Sequence, residues 1–182
     1  MPTYKFLADT SRCIKCTGCE AACKQYNEVP DGIRRLRVVI LNEGKPGETN
    51  VPMPCMHCTK PPCLPVCPVQ AIYNREDGVV LVNKDKCIGC GYCLYACPFG
   101  APQFPETGLF GSKGKMDKCT FCVQPFVQKD QSGQLIEREP KPRCAAFCAT
   151  KALLAGDIDA ITEEYRKRVA GKIPIGAVPD VR

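Results

Sequence analysis

Apolar residues along this chain come in short bursts separated by turn-forming stretches, a pattern of strand-sized segments. "TYKFLAD" (3–9) and "RRLRVVIL" (34–41) have strand composition, and "NREDGVVLV" (74–82) carries an Asp77-Gly78 turn signal that runs into an apolar strand. "EGKPGETN" (43–50) and "SGQLIEREPKPR" (132–143) are polar and hold Gly and Pro, which predicts surface connections. From Asp157 the period lengthens: Ile158, Ile161, Tyr165 and Val169 recur at helical spacing. Asp157 suits the cap of that helix, and Arg166, Lys167 and Arg168 suit the negative end of its dipole. The closing "GKIPIGAVPDVR" (171–182) is too rich in Pro and Gly to continue it. That leaves a frayed tail, or an extended arm with Ile173, Ile175 and Val178 as contacts to another subunit. The longest apolar runs, Val38–Leu41 and Gly78–Val82, fall far short of the roughly 18 residues that a membrane span requires, so no direct span is expected.

Cysteine changes this picture. Sixteen of the 182 residues are Cys, and they fall into four groups. The first is Cys13, Cys16, Cys19, Cys23; the second Cys55, Cys58, Cys63, Cys67, stretched in its middle by "TKPP". The third is Cys87, Cys90, Cys93, Cys97; the fourth Cys119, Cys122, Cys144, Cys148, with twenty-one residues after its CxxC. A disulfide scaffold needs an oxidising compartment and does not account for cysteines at three-residue intervals. "MPTYKFLADTSRC" lacks a charged start, a long apolar core and a cleavage site, so a cytoplasmic location is expected unless a signal-bearing partner exports the chain.

Thiolates at every third position make the chain coil around a compact object, and a cubane 4Fe-4S cluster is such an object. Zinc sites of four cysteines usually join two separate CxxC knuckles, whereas the CxxCxxC runs at Cys13 and Cys87 are continuous. Gly18, Gly89 and Gly91 are expected to adopt positive φ and turn N–H groups toward cluster sulfurs. His57, the single histidine, has four complete cysteine sets around it. It is therefore expected beside the ligands or on a contact surface, where its charge would tune one potential. Tyr92, Tyr95, Phe99, Phe121 and Phe147 are expected to pack against clusters and exclude water.

The formal charge of +6 comes from scattered Lys and Arg with no dense basic run, which argues against nucleic acid. Four oxidised cluster sites, about −2 each, would bring the loaded protein to about −2. There is no Gly-rich nucleotide loop, nucleophile motif, or flavin or nicotinamide fingerprint, so no catalytic residue is assigned and the chain reads as an electron carrier.

In two-cluster ferredoxins the fourth cysteine of a run, followed by proline as in Cys67-Pro68 and Cys97-Pro98, ligates the other cluster. The groups therefore work in pairs. The inner pair gives Cys55, Cys58, Cys63 with Cys97, and Cys87, Cys90, Cys93 with Cys67. The outer pair gives Cys13, Cys16, Cys19 with Cys148, and Cys119, Cys122, Cys144 with Cys23. The expected fold class is α+β: two dicluster ferredoxin-like units, one inserted in the other, loop-rich with short β-hairpins and a C-terminal helix. Residues 1–50 plus 112–156 form the outer unit, 51–111 the inner unit, and 157–182 the helix and tail.

With these groups in place, residues from about 4 to 170 resemble the four-cluster electron-transfer (beta) subunits of molybdenum or tungsten pterin oxidoreductases. The resemblance lies in "RCIKCTGCEAACK", "VPMPCMHCTKPPCLPVCPVQAIY", "EDGVVLVNKDKCIGCGYCLYACPFGAPQFP", "GKMDKCTFC" and "CATKALLAGD". The run from Cys87 to Pro105 with the last two segments looks closest to formate dehydrogenase beta subunits. The resemblance implies four 4Fe-4S clusters, the same ligand pairing, and a pterin-bound catalytic subunit as partner, with a flavoprotein or cytochrome b as a possible further redox subunit. The absence of a C-terminal transmembrane helix and the short fourth-group insertion imply a compact version serving a cytoplasmic enzyme. A tungsten aldehyde oxidoreductase subunit and a free polyferredoxin are the alternatives.

Overall fold

Each apolar burst in the sequence becomes a short strand. The computed structural model describes residues 2–106 and 114–172. Its elements run β1 (Tyr4–Ala8), α1 (Gly18–Asn27), β2 (Leu36–Leu41), β3 (Thr49–Pro54), β4 (Ile72–Asn74), β5 (Val80–Val82), α2 (Tyr92–Ala96), α3 (Arg143–Ala146), β6 (Leu153–Asp157) and α4 (Ile158–Ala170). This is a mixed α+β fold of small two-stranded sheets. β1 pairs antiparallel with β6, from Tyr4 opposite Asp157 to Ala8 opposite Leu153. β2 pairs with β3, and β4 with β5, each as a hairpin.

The hairpins form where the sequence supplies turns. Gly78, at φ 78°, closes the β4–β5 turn, with its N–H donating to the Arg75 carbonyl at 3.0 Å. The "EGKPGETN" connection turns at Gly44 and Gly47, both at positive φ, and its last two residues open β3. At α4, the Asp157 carboxylate accepts from the Asp159 N–H at 3.1 Å, the capping bond that the sequence predicts. Only Ile161 of its apolar positions is buried; Ile158 and Val169 are about 40% exposed. The arm positions Ile173, Ile175 and Val178 lie outside the described residues.

Three apolar clusters hold the elements together. Cys63, Ala71, Ile72, Val80, Val82, Cys93 and Met116 pack around the β4–β5 hairpin. Cys19, Leu36, Cys144 and Leu153 pack where α1 meets α3 and the β1–β6 pair. Val79, Leu81, Phe121 and Val123 join the two, with Tyr4, Phe6, Tyr73 and Ala155 against them. Beside this junction lies a buried ion network. Arg35 grips Asp117 with two bonds of 2.8 Å, Lys84 reaches the same carboxylate at 2.9 Å, and all three side chains are buried. Paired charges of this kind are tolerated inside a protein because every donor finds an acceptor; Arg35 also bonds Thr120 Oγ1 and the Gln124 carbonyl.

Candidate iron–sulfur sites

All four cysteine groups share one backbone feature. The residue before the second cysteine is left-handed in each: Lys15 at φ 60°, His57 at 45°, Gly89 at 74° and Phe121 at 55°. A left-handed residue there folds the CxxC back on itself, so both thiols face one side. A second left-handed residue, Thr17 in the first group and Gly91 in the third, ends the loop and starts α1 and α2. Gly89 and Gly91 thus take the expected positive φ. Gly18 does not: it is the first helical residue of α1, and the left-handed position falls on Thr17.

Two cavities open beside the inner groups. One is lined by Cys67, Cys87, Cys90 and Cys93, with Ile72, Val82, Phe104 and Met116 as its apolar walls. The other is lined by Cys55, Cys58, Cys63 and Cys97, with Pro61, Pro62, Val80 and Lys118. Each cavity therefore draws three cysteines from one group and one from its neighbour. Among the described residues no three Cys, His, Asp or Glu side chains converge as ligands of a single ion. The thiols ring a volume instead, which suits the donor set of a multi-iron cluster.

In the outer pair, Cys23, Cys119, Cys122 and Cys144 are all buried. Asn27, one helical turn after Cys23, points its Nδ2 at both Cys122 Sγ (3.4 Å) and Cys23 Sγ (3.8 Å). Burial, and then the neighbouring Cys119, Cys23 and Cys122, push the Cys144 thiol well above its usual range. Cys19 and Cys148 are neighbours, with Cys19 buried and raised to about 11 mainly by burial. Cys13 is half-buried and Cys16 exposed, on the turn leading into α1. Cys16 and Cys90 are the two exposed cysteines, and each is the second thiol of a CxxCxxC run.

Backbone N–H groups reach the sulfurs as well. Ala71 N–H donates to Cys67 Sγ at 3.2 Å, Met116 to Cys87 at 3.3 Å, Phe121 to Cys119 at 3.4 Å and Arg143 to Cys122 at 3.5 Å. Such donors stabilise thiolate and reduced cluster alike. Burial raises Cys23, Cys63 and Cys93 to about 11, so these thiols hold their protons until metal displaces them.

Of the two places expected for His57, the structure shows the one beside the ligands. It is completely buried, and its Nδ1 accepts from the Val80 N–H at 3.0 Å. Burial, then the charges of Lys118 and Lys5, hold it well below its usual range, so it is neutral and contributes no charge. Its ring meets Phe121 edge-on at 5.6 Å. The aromatic expectation holds in part. Phe121 is fully buried, and Phe99, though 44% exposed, lines the cavity of Cys55, Cys58, Cys63 and Cys97. Tyr92, Tyr95 and Phe147 are 59–89% exposed, and Phe104 and Met116 supply apolar walls at the other cavity. Asn27 and Lys118 are site residues that cysteine spacing does not single out. The signals for them are the i, i+4 spacing from Cys23 and the lysine abutting Cys119.

The 4Fe-4S dicluster domain family matches residues 48–158, which span the second to fourth cysteine groups. The chain is 56% identical over 173 residues to the formate dehydrogenase iron-sulfur subunit of Wolinella succinogenes, covering 91% of this chain and 86% of that protein. It is 39% identical to a thiosulfate reductase electron transfer subunit of Salmonella typhi, over 86% of this chain and 77% of that protein. It is 36% identical to one of the polypeptides of the anaerobic dimethyl sulfoxide reductase of Escherichia coli, over 89% of this chain and 77% of that protein. Sixteen cysteines fit four 4Fe-4S clusters, and the chain belongs to the 4Fe-4S dicluster family of iron–sulfur electron-transfer subunits.

Proposed function

We propose that this chain is the non-catalytic electron-transfer subunit of a formate dehydrogenase in the cytoplasm. It relays single electrons between a molybdenum- or tungsten-pterin catalytic subunit and an acceptor, which a flavoprotein or a cytochrome b would provide. The observation that carries this reading is the 56% identity to a formate dehydrogenase iron-sulfur subunit over 91% of the chain. No helix among the described residues is long and apolar enough to cross a membrane, which agrees with an acceptor reached through another subunit.

Four ligand sets follow: Cys87, Cys90, Cys93 with Cys67; Cys55, Cys58, Cys63 with Cys97; Cys119, Cys122, Cys144 with Cys23; and Cys13, Cys16, Cys19 with Cys148. The four-cysteine lining of each inner cavity supports the first two. The mutual influence of Cys144 with Cys119, Cys122 and Cys23 supports the third, and that of Cys19 with Cys148 the fourth. The β1–β6 pairing around the inner hairpin supports an outer unit (1–50 plus 112–156) interrupted by an inner one (51–111), with the β2–β3 hairpin spanning the join.

A bound cubane supplies reversible one-electron exchange. The chain's own residues set the order of the sites. Cys93 and Cys63 share an apolar cluster, Cys55 lies near Cys119, and Cys144 and Cys19 share another cluster. That gives a line in the order just listed. The exposed Cys90 and Cys16 stand at its two ends, where electrons enter and leave.

Anaerobic isolation of the chain with its neighbouring subunit tests the proposal. About sixteen iron and sixteen sulfide per chain are expected, with paramagnetic signals appearing on addition of formate. Zinc in place of iron would end the cluster reading. Reduction by an aldehyde but not by formate would transfer the subunit to a tungsten aldehyde oxidoreductase, and isolation without any large partner would make it a free polyferredoxin.

A further inference from the structure

The middle of the molecule buries more positive charge than its own carboxylates balance. Arg35, Lys84 and Lys118 are only 4%, 6% and 1% exposed, and one buried carboxylate, Asp117, lies among them. Arg35 and Lys84 share it. Lys118 makes no ion pair among the described residues. Its Nζ donates only to two backbone carbonyls, those of Val80 at 2.5 Å and Cys119 at 3.1 Å. A buried ammonium without a counter-ion is strongly disfavoured, so its presence calls for an anion.

The geometry names the place for that anion. Lys118 lines the cavity of Cys55, Cys58, Cys63 and Cys97, and in sequence it adjoins Cys119 of the outer pair. Its ammonium is the charge that opposes burial at the Cys63 thiol and helps keep His57 neutral. Val80, whose carbonyl receives one Lys118 bond, gives its N–H to His57, so lysine and histidine are fixed by the same residue from two sides.

We propose that Lys118 is the resident counter-charge of the cluster in the Cys55, Cys58, Cys63, Cys97 set, holding its potential above what cysteine ligation alone would give. This rests on the cluster reading above. In the transfer step one electron leaves the neighbouring cluster, whose site goes from about −3 to −2, and enters this one, which goes from about −2 to −3. No bond forms or breaks and no proton moves. The fixed cation favours the more negative state, and burial keeps solvent from screening it.

The test compares the unaltered complex with Lys118→Gln, Lys118→Met and Lys118→Arg, each assayed for iron and sulfide and then titrated redox-potentiometrically with paramagnetic resonance detection. The Gln and Met variants are expected to load fully and to lower one midpoint potential well beyond any movement of the other three, while Arg stays near the unaltered value. Fully loaded neutral variants with all four potentials unchanged overturn the proposal. If both neutral variants lose iron and Arg does not, the requirement is for charge and the proposal stands; if all three lose iron equally, Lys118 is a packing residue and the proposal falls. Iron missing from the unaltered complex would instead defeat the cluster reading, whatever Lys118 does.

Discussion

Replacing Gly89 by alanine would set a methyl carbon 2.3 Å from the Gly114 carbonyl oxygen in a backbone already at φ 74°. Both the contact and the conformation oppose it, and Gly89→Ala should cost about 1–3 kcal/mol in denaturant unfolding while lowering iron content at the third group. The equivalent turns use Lys15, His57 and Phe121, which no sequence rule marks as left-handed. This is why the geometry was legible at Gly89 and hidden at the other three. Asp9 offers a pH test at the same scale. Burial alone would raise its carboxyl, but the 2.7 Å bond from Ser11 and the nearby Lys172 and Arg168 hold it below the ordinary aspartate value. A depressed folded value stabilises above the unfolded one and is lost as pH falls through it. Asp9→Asn should therefore cost about 1–3 kcal/mol at pH 7, and urea titrations should show the gap to the unaltered protein closing below about pH 4.

Phe121 ties elements rather than neighbours in sequence: its ring packs at a tilt against Phe6 of β1 at 4.7 Å, approaches Tyr4 at 5.6 Å, and meets the His57 ring. Truncation to alanine should lower stability by about 3–5 kcal/mol, read as a drop in thermal midpoint. Strands β1, β2 and β5 and helix α4 were legible from apolar runs and a cap. The short helices were not, and α1 shows the physical reason. Its buried positions are Cys19, Cys23 and Asn27, spaced by four, so its inward stripe is made of metal-ligand residues and an amide instead of aliphatic side chains. Helical periodicity was present, written in thiols. β4 has three residues and β3 contains two prolines, too little alternation to announce either.

For the molecule as a whole, charge and metal are one quantity. The sequence alone gives an isoelectric point of about 8.6. Four loaded sites of about −2 each should bring the native protein below neutrality, so isoelectric focusing under nitrogen should place the loaded form acidic and the chelator-stripped form basic. A loaded form that still focuses above about pH 8 would contradict four clusters. That the chain holds 4Fe-4S clusters was readable from spacing, because thiols at three-residue intervals leave few alternatives. What spacing could not supply was the interior between the groups, where Asn27 reaches Cys23 and Cys122 and where Lys118 and a neutral His57 meet across Val80.

The first strand finds its mate only in β6, at residues 153–157. During synthesis, the opening fifty residues emerge from the ribosome with four bare thiols and no strand to close against. The β4–β5 hairpin and its two cavities can mature while translation continues. On the proposed ligand sets, metal delivery should thus begin with the two sites of the Cys55–Cys97 segment, and a nascent chain stalled before Cys119 should already carry those two clusters and neither of the others.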